Sequence, residues 1–339
     1  MKKNRLFEPY SLKGVEFKNR IAMAPMCQYS AENDGLIQNW HRVHYISRAV
    51  GQVGMIITEA TAVESRGRIS CKDLGIWDDD MMSSFSELVQ QVQSHGCKLG
   101  IQIAHAGRKA VVPGELIVAP SAIAFNDQFP IPMELNEAEI EVIIRDFGNG
   151  VKRAVEIGVD FVEIHAAHGY LINQFLSPLT NQRTDAYGQD RSLFLKQVLE
   201  EAHLYIPKQM PVFLRVSAED YIDEGIHPEE ICRLLDPLKE LIDLVHVSSG
   251  GVVENAVIKM FPGYQVAFAN IIKKQLQLPV MAVGMLESPE LAEKILQDEE
   301  ADFIALGREL LRNPYWPLQA AKTLGENIQW PEAYQRAKP

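Results

Sequence analysis

The sequence predicts a single (β/α)8 barrel, because strand-like and helical segments alternate eight times along the chain. Eight short apolar, β-branched runs recur within the 339 residues, and amphipathic helical segments separate them. Near-continuous apolarity is typical of parallel strands that are covered on both faces. Strand–helix alternation repeated in this way is typical of one closed barrel. We therefore expect residues 1–339 to form one domain.

The predicted strands are distributed over almost the whole chain. They lie at 19–25, 53–60, 97–104, 159–165, 211–217, 243–249, 279–284 and 302–307. The clearest helical segments span 81–96, 136–158 and 288–300; Ser288 and Pro289 suit the N-cap and first turn of the last one. An open doubly wound sheet is the alternative, but no GxGxxG motif follows a strand.

One connection is much longer than the others. Residues 104–135 are rich in proline and lack helical periodicity. Long connections of this kind are frequently functional. We expect a cap over one end of the barrel; a surface excursion without function is the alternative.

Composition favours small-molecule partners. The formal net charge of −12 argues against a nucleic-acid or anionic-membrane partner, because such partners require a concentrated basic face. The N-terminus lacks a secretory signal and no run is long enough to span a membrane, so we expect a cytoplasmic protein. The four cysteines, Cys27, Cys71, Cys97 and Cys232, show no CxxC pair, so we expect neither disulfides nor a metal site.

Polar residues collect where the predicted strands end, and in a barrel these ends share one mouth. Gly284, Gly307 and Arg308 follow the last two strands, where such barrels commonly bind phosphate. These residues favour a phosphorylated cofactor. The alternative is that the glycines only allow tight turns and that Arg308 pairs with an acidic residue of a neighbouring helix.

The segment EIHAAHGY places two imidazoles and a phenol at the fourth strand end. His165 and His168 can both donate to one substrate oxygen, and Tyr170 can act as an acid at neutral pH. Such a set suits reduction of a carbonyl-activated double bond. Metal binding by HxxH and a purely structural pair of histidines are the alternatives.

Several separate motifs carry a resemblance to a known family. They are LFEPYSLKGVEFKNRIAMAPMCQYS, AHAGRK, EIHAAHGYLINQFLSPLTNQRTDAYG, FLRVSAEDY, VSSG, FPGYQ, AVGM and ALGRELLRNP. From about residue 6 onward the chain resembles the old yellow enzyme family, and within it the bacterial thermophilic-like class of NADPH dehydrogenases, which are ene-reductases.

The resemblance implies FMN as the cofactor. Gly284, Gly307 and Arg308 would hold its phosphate, Gln102 and Arg215 would contact the ring, and Cys27 would tune its potential. The full set of implied FMN-binding residues is Ala24, Pro25, Met26, Cys27, Ala60, Gln102, His165, Arg215, Ser249, Gly250, Gly284, Gly307 and Arg308.

The resemblance also implies substrates and roles. NADPH would reduce the flavin, which would pass hydride to electron-poor alkenes and nitro compounds. His165 and His168 would polarise the substrate carbonyl, and Tyr170 would protonate the α-carbon. Tyr29 and Lys109 would shape the substrate pocket. Arg336, in the tail 325–339, would enter a neighbouring active site of a homodimer or homotetramer.

Two other functions stay open at this stage. A 2,4-dienoyl-CoA reductase-like flavoenzyme has a similar barrel, but it carries a cysteine cluster and further domains. A flavin-binding protein without turnover would not need the acid Tyr170. One segment, 187–195, is shorter than is usual in the family, and only Arg191 and Phe194 match well there.

Overall fold

Twelve strands and eleven helices form over residues 4–339, the part of the chain that this computed structural model describes. The strands are β1 (Tyr10–Leu12), β2 (Val15–Phe17), β3 (Ile21–Met23), β4 (Met55–Ala62), β5 (Lys98–Ala104), β6 (Val118–Ala119), β7 (Met133–Glu134), β8 (Phe161–Ala166), β9 (Val212–Ser217), β10 (Leu244–Ser248), β11 (Val280–Val283) and β12 (Phe303–Leu306). The helices are α1 (Asn39–Val50), α2 (Met82–Ser94), α3 (Glu137–Ile157), α4 (Leu171–Leu176), α5 (Ala186–Gln189), α6 (Leu193–His203), α7 (Pro228–Leu235), α8 (Val266–Leu276), α9 (Pro289–Gln297), α10 (Arg308–Arg312) and α11 (Trp316–Thr323).

Eight strands close into one barrel, which confirms the predicted fold. Their order around the barrel is β3, β4, β5, β8, β9, β10, β11 and β12, and β12 pairs with β3. Every pairing is parallel. All their C-terminal ends therefore point to the same mouth.

Capping residues mark the ends of two helices that periodicity predicted, α3 and α9. The side chain of Asn136 accepts from Glu139 N at the start of α3, and Gly158, with φ 92°, ends that helix. Ser288 accepts from Leu291 N at the start of α9, as expected from Ser288 and Pro289. Side-chain acceptors satisfy backbone N–H groups that have no partner within the helix.

The strand pair β1–β2 was not predicted. Its antiparallel strands are joined through Lys13 and Gly14, which have φ 51° and 100°. Phe17 is fully buried and packs against Phe161 and Phe303 at the bottom of the barrel. The hairpin therefore closes the end of the barrel opposite the mouth.

Side chains inside the barrel form layers, because alternate residues of a strand face the same way. The lowest layer is apolar and contains Phe161, Phe213 and Leu244. Two residues further along these strands stand Glu163, Arg215 and His246, and two further along stand His165, Ser217 and Ser248. The interior thus changes from apolar to polar toward the mouth.

The long connection 104–135 is tied to a second loop of the mouth. It contains a 3-10 turn, Gly107–Lys109, and the short strands β6 and β7, which pair with each other. Arg108 is buried and donates to the carbonyl oxygens of Ile123 and Ala124 at 3.3 and 3.2 Å, and also to that of Val252. The role of this segment as a cap stays a prediction.

Arg108→Ala is expected to destabilise the protein by about 2–4 kcal/mol, because buried carbonyl oxygens lose a charged donor. Urea unfolding measures the loss, and limited proteolysis tests whether cleavage increases within 104–135. Arg145→Ala is the matched control, since Arg145 is exposed and its ion pair with Glu141 should contribute less than about 1 kcal/mol. Equal stabilities of the two variants would contradict the assigned role.

No helix among residues 4–339 combines the length and apolarity needed to cross a bilayer. The four cysteines are present as free thiols. The cytoplasmic location stays a prediction.

Candidate active site

Two imidazoles and one phenol meet at the C-terminal end of β8. The ring centroid of His165 lies 5.3 Å from that of His168 and 5.0 Å from that of Tyr170. The rings of His168 and Tyr170 are 6.5 Å apart. The three residues predicted as catalytic therefore form one cluster.

All three groups are uncharged at neutral pH. Burial lowers the pKa of His165 and of His168 well below the ordinary histidine value, and the charge of Arg215 lowers both further. Burial raises the pKa of Tyr170 above its ordinary value. The cluster thus offers neutral N–H and O–H donors.

Hydrogen bonds determine which ring nitrogens can donate. Nδ1 of His165 accepts from Ala167 N at 3.3 Å, so the proton of its neutral ring is on Nε2. Nε2 of His168 lies 2.8 Å from Oγ of Ser248. His168 can donate to a substrate through Nδ1 when its Nε2 accepts the Ser248 hydroxyl hydrogen.

Glycines bring the His168 loop against the loop that follows β10. His168 and Gly169 have φ 60° and 70°, in the left-handed region. A Cβ on Gly169 would lie 2.2 Å from the carbonyl oxygen of Gly251. Lys109 joins the two loops, since its Nζ donates to the carbonyl oxygens of His168 at 2.9 Å and Gly251 at 3.0 Å.

Lys109 also lies over two aromatic rings. Its Nζ is 5.2 Å from the ring centroid of Tyr170 and 4.5 Å from that of Phe125. Burial, with a contribution from the charge of Arg108, lowers the pKa of Lys109 to about 8. Lys109 was predicted to shape the substrate pocket. The structure shows that it also supports the His168 loop.

A cavity of about 370 Å³ opens at the ends of β11 and β12. Its size falls within the range of about 300–1,000 Å³ that is usual for small-molecule sites. Arg215, Gly284, Gly307 and Arg308 line it, and all four are among the residues that the sequence analysis assigned to cofactor binding. Ser248 lines it too, and through its hydrogen bond to His168 it connects the cavity with the cluster of His165, His168 and Tyr170.

Gly284 is needed in the wall of this cavity. Its φ is 125°, and a Cβ there would lie 2.8 Å from Nε2 of Gln265 and 2.9 Å from Cε1 of Tyr264. Gln265 in turn donates to the carbonyl oxygen of Val283 and accepts from Oγ of Ser249. Tyr264 and Gln265 are lining residues that our residue list missed, although the motif FPGYQ contained them.

Arg215 provides a test of whether the cavity suits an anionic group. The residue is 7% exposed, and its Nε has no hydrogen-bond partner in residues 4–339. A buried guanidinium without a partner is costly, so a ligand acceptor would stabilise it. Together with the close approach allowed by Gly284, this arrangement fits a phosphorylated, acceptor-rich cofactor such as FMN.

Other predicted cofactor residues surround the mouth. Gln102 of β5 stands in register with Ala60 of β4, after an irregularity in the β4–β5 pairing. Ala60 and Tyr170 line one small pocket. On the far side, Ala24 N donates to Leu306 O at 3.0 Å and joins the end of β3 to β12.

Met26 and Pro25 continue from that joint toward the mouth. Sδ of Met26 lies 3.5 Å from the position that a Cβ of Gly307 would occupy. Pro25 is buried. Gly250, with φ 72°, turns the chain after β10, and its N–H donates to Glu219 O.

Cys27 lies beside two carboxylates. Its Sγ and one oxygen each of Glu59 and Asp73 are within 4.8 Å of one another. Burial raises the pKa of Cys27 well above its ordinary value, and both carboxylates add to this shift. Glu59 accepts from Gln28 N and Asp73 accepts from Ser70, so both carboxylates have other hydrogen-bond partners.

Two predicted substrate residues are exposed. Tyr29 is 54% exposed, with φ 52°, and its partial burial raises its pKa above the ordinary tyrosine value. Arg336 lies in the exposed 3-10 turn Glu332–Ala337. No hydrogen bond, ion pair, ring contact or cavity found in residues 4–339 joins Arg336 to the other predicted site residues.

The short segment 187–195 is held in place by Arg191. Its guanidinium donates to the carbonyl oxygen of Leu176 at the end of α4 and to the carboxylate of Glu230 in α7. Phe194 is fully buried and stacks on Phe175 at 4.2 Å. The two residues that match the family motif therefore anchor this segment.

Comparison with known proteins decides the family. The sequence profile of the NADH:flavin oxidoreductase / NADH oxidase family matches residues 5–327. The chain belongs to this family. Membership of this family makes the protein an oxidoreductase and implies FMN as its cofactor. It also confirms the resemblance to the old yellow enzyme family.

Relatives of similar length carry the name NADPH dehydrogenase. A protein named NADPH dehydrogenase from Geobacillus thermodenitrificans (strain NG80-2) is 50% identical over 336 residues, which are 98% of each chain. The protein of that name from Clostridium acetobutylicum is 48% identical over 337 residues, 98% of this chain and 99% of its own. The one from Bacillus subtilis (strain 168) is 47% identical over 340 residues, 98% of each.

Two solved structures agree with the fold. Morphinone reductase is 25% identical, with a TM-score of 0.81 over 97% of this chain and 92% of its own. A 2-naphthoyl-CoA reductase in complex with 2-naphthoyl-CoA has a TM-score of 0.88 at 23% identity, over 95% of this chain and 52% of its own. The second comparison concerns the fold alone.

Proposed function

We propose that this protein is an FMN-dependent NADPH dehydrogenase that acts as an ene-reductase. Its substrates are α,β-unsaturated aldehydes and ketones, and nitro compounds. The observation that carries the proposal is the cluster of His165, His168 and Tyr170, which Ser248 connects to the cavity containing Arg215. Three relatives named NADPH dehydrogenase support NADPH as the electron donor.

The cavity residues would hold the cofactor. Gly284 and Gly307 allow the backbone to approach a phosphate, and Arg308 adds donors and positive charge. Arg215 and Gln102 would contact the ring. When bound, FMN supplies hydride transfer, a chemistry that side chains lack.

The cluster would bind and polarise the substrate. Nε2–H of His165 and Nδ1–H of His168 donate to its carbonyl oxygen and stabilise the negative charge that develops there. Tyr170 keeps its proton on Oη, because burial raises its pKa, and can deliver that proton to the α-carbon. Lys109 and Tyr29 would border the same substrate pocket.

A neighbouring subunit would complete the site. Arg336 lies in an exposed tail segment, which suits a side chain that contacts another copy of the chain. We propose a homodimer or homotetramer in which Arg336 reaches the neighbouring substrate pocket.

Anaerobic stopped-flow measurements test the function. Purified protein is expected to be yellow, NADPH should bleach its flavin absorbance, and cyclohexenone should restore it. The same traces with NADH measure the preference between the nicotinamides. A flavin that NADPH reduces but no electron-poor alkene reoxidises would contradict the ene-reductase assignment and favour a protein that only binds flavin.

A further inference from the structure

A carboxylate stands inside the barrel beneath the cofactor cavity and has no role in the function proposed above. Glu163 is fully buried on β8, one interior position below His165. Its Oε1 accepts from Nε2 of Gln102 at 2.7 Å, and its Oε2 lies 2.8 Å from Nδ1 of His246. A buried carboxylate stabilises the fold less than an apolar side chain would, such as those one layer below. Stability alone therefore does not explain why Glu163 stands here.

The first hydrogen bond orients Gln102. Because Gln102 donates through its NH2 group, its amide oxygen remains as the acceptor available to a ring N–H. An amide without this partner could rotate and present either end. Glu163 therefore selects which end of Gln102 faces a ligand.

The second hydrogen bond keeps Glu163 paired without adding charge. Burial lowers the pKa of His246 below the ordinary histidine value, so the imidazole is neutral at neutral pH. In the neutral ring, Nδ1–H donates to Glu163, and Nε2 has no partner in residues 4–339. Within the group formed by Glu163, Gln102 and His246, the carboxylate of Glu163 thus supplies the only charge, and that charge is negative.

That negative charge lies close to Arg215. Arg215 of β9 is in register with His165 of β8 and His246 of β10, the strands on either side. The charge of Glu163 opposes the lowering of the Arg215 pKa that burial causes. Glu163 therefore partly offsets the positive charge that Arg215 presents to the cavity.

We propose that Glu163, held by Gln102 and His246, is a positioning residue that orients the Gln102 amide, offsets the charge of Arg215 and so lowers the reduction potential of bound FMN. Reduced flavin carries more negative charge on its ring than oxidised flavin, so Arg215 favours the reduced form and Glu163 opposes it. The proposal rests on the proposed seating of FMN against Arg215 and Gln102.

Glu163→Gln removes the charge and keeps the shape of the side chain: its amide oxygen can still accept from Gln102, and its NH2 group can donate to Nδ1 of His246 once the imidazole proton moves to Nε2. We expect binding of reduced FMN, relative to oxidised FMN, to increase about tenfold, which for two electrons raises the potential by about 30 mV. Affinity for oxidised FMN should stay within about threefold, because Gln102 remains oriented. Dye-equilibrated reduction measures the potential, and titration of the apoprotein measures the affinity.

Glu163→Met separates the two roles and serves as the second variant if the first fails to fold. It removes both the charge and the acceptor, so the potential should rise and the affinity for oxidised FMN should fall about tenfold. Glu293→Gln is the control, since this buried carboxylate accepts from Arg5 N and Leu6 N near the N-terminus. The reduction potential of FMN bound to Glu293→Gln should equal that of FMN bound to the unmodified protein.

Arg215→Gln distinguishes failure of this inference from failure of the proposed cofactor seat. If FMN lies against Arg215, loss of that positive charge lowers the potential. A lowered potential in Arg215→Gln with no rise in either Glu163 variant would overturn the role of Glu163 alone. Unchanged potentials in all three variants would overturn both the role and the seat.

Discussion

Tyr170→Phe is expected to slow reoxidation of the reduced enzyme by cyclohexenone by about 10²–10⁴-fold, the usual contribution of a general acid. The phenylalanine ring keeps the packing against Ala106, Ala110 and Ile117 and removes only the hydroxyl. Reduction of FMN by NADPH needs no proton from Tyr170, so its rate should stay within about twofold. The two half-reactions are measured separately by stopped-flow absorbance.

Tyr187→Phe is the matched control for this substitution. The Tyr187 hydroxyl bonds to Gln197 at 2.9 Å, beside α6. Both half-reactions of this variant should match those of the unmodified protein. If Tyr170→Phe slowed reduction by NADPH as much as reoxidation, Tyr170 would act in binding at the flavin and not as the acid.

Gly284→Ala is expected to weaken FMN binding by about 10–100-fold. The new Cβ would lie 2.8 Å from Nε2 of Gln265 and 2.9 Å from Tyr264, in a wall of the cofactor cavity. To relieve this contact, Gln265 or Tyr264 must move, and Gln265 holds both Ser249 and Val283. Each tenfold loss of FMN affinity corresponds to about 1.4 kcal/mol of binding free energy. Displacing packed side chains commonly costs at least this much.

Gly158→Ala separates this crowding from backbone strain. Gly158 also has a left-handed φ, 92°, but a Cβ there meets no atom within 4 Å. Both variants should lose about 1–2 kcal/mol of stability in urea unfolding, because an L-residue is strained in that conformation. FMN titration of the apoproteins should differ only for Gly284→Ala; equal affinities would remove Gly284 from the cofactor site.

The alternation of strand and helix was visible in the sequence because each barrel strand is buried on both faces. All eight barrel strands lie where apolar runs predicted them, with ends that differ by a few residues. The hairpin β1–β2 was not visible, because three-residue strands are too short to show periodicity. The position of Phe17 at the bottom of the barrel follows only from its packing against Phe161 and Phe303 in the folded protein.

The residues of the site were partly visible for a related reason. A polar group that ends an apolar run, such as His165, is conspicuous in sequence. Glu163 and His246 stand within such runs, and our predictions passed over them. Period-two alternation would have placed Glu163 on the same face as His165, and His246 on the same face as Ser248.

Local patterning alone thus established the barrel, the mouth at which polar side chains collect and the chemical types available there, because burial and periodicity act on neighbouring residues. Tertiary structure decided the rest: how Lys109 joins two loops, and that Gln102, Glu163 and His246 share one network. These contacts join residues 59 to 142 positions apart, and their distances and angles are set only when the barrel closes.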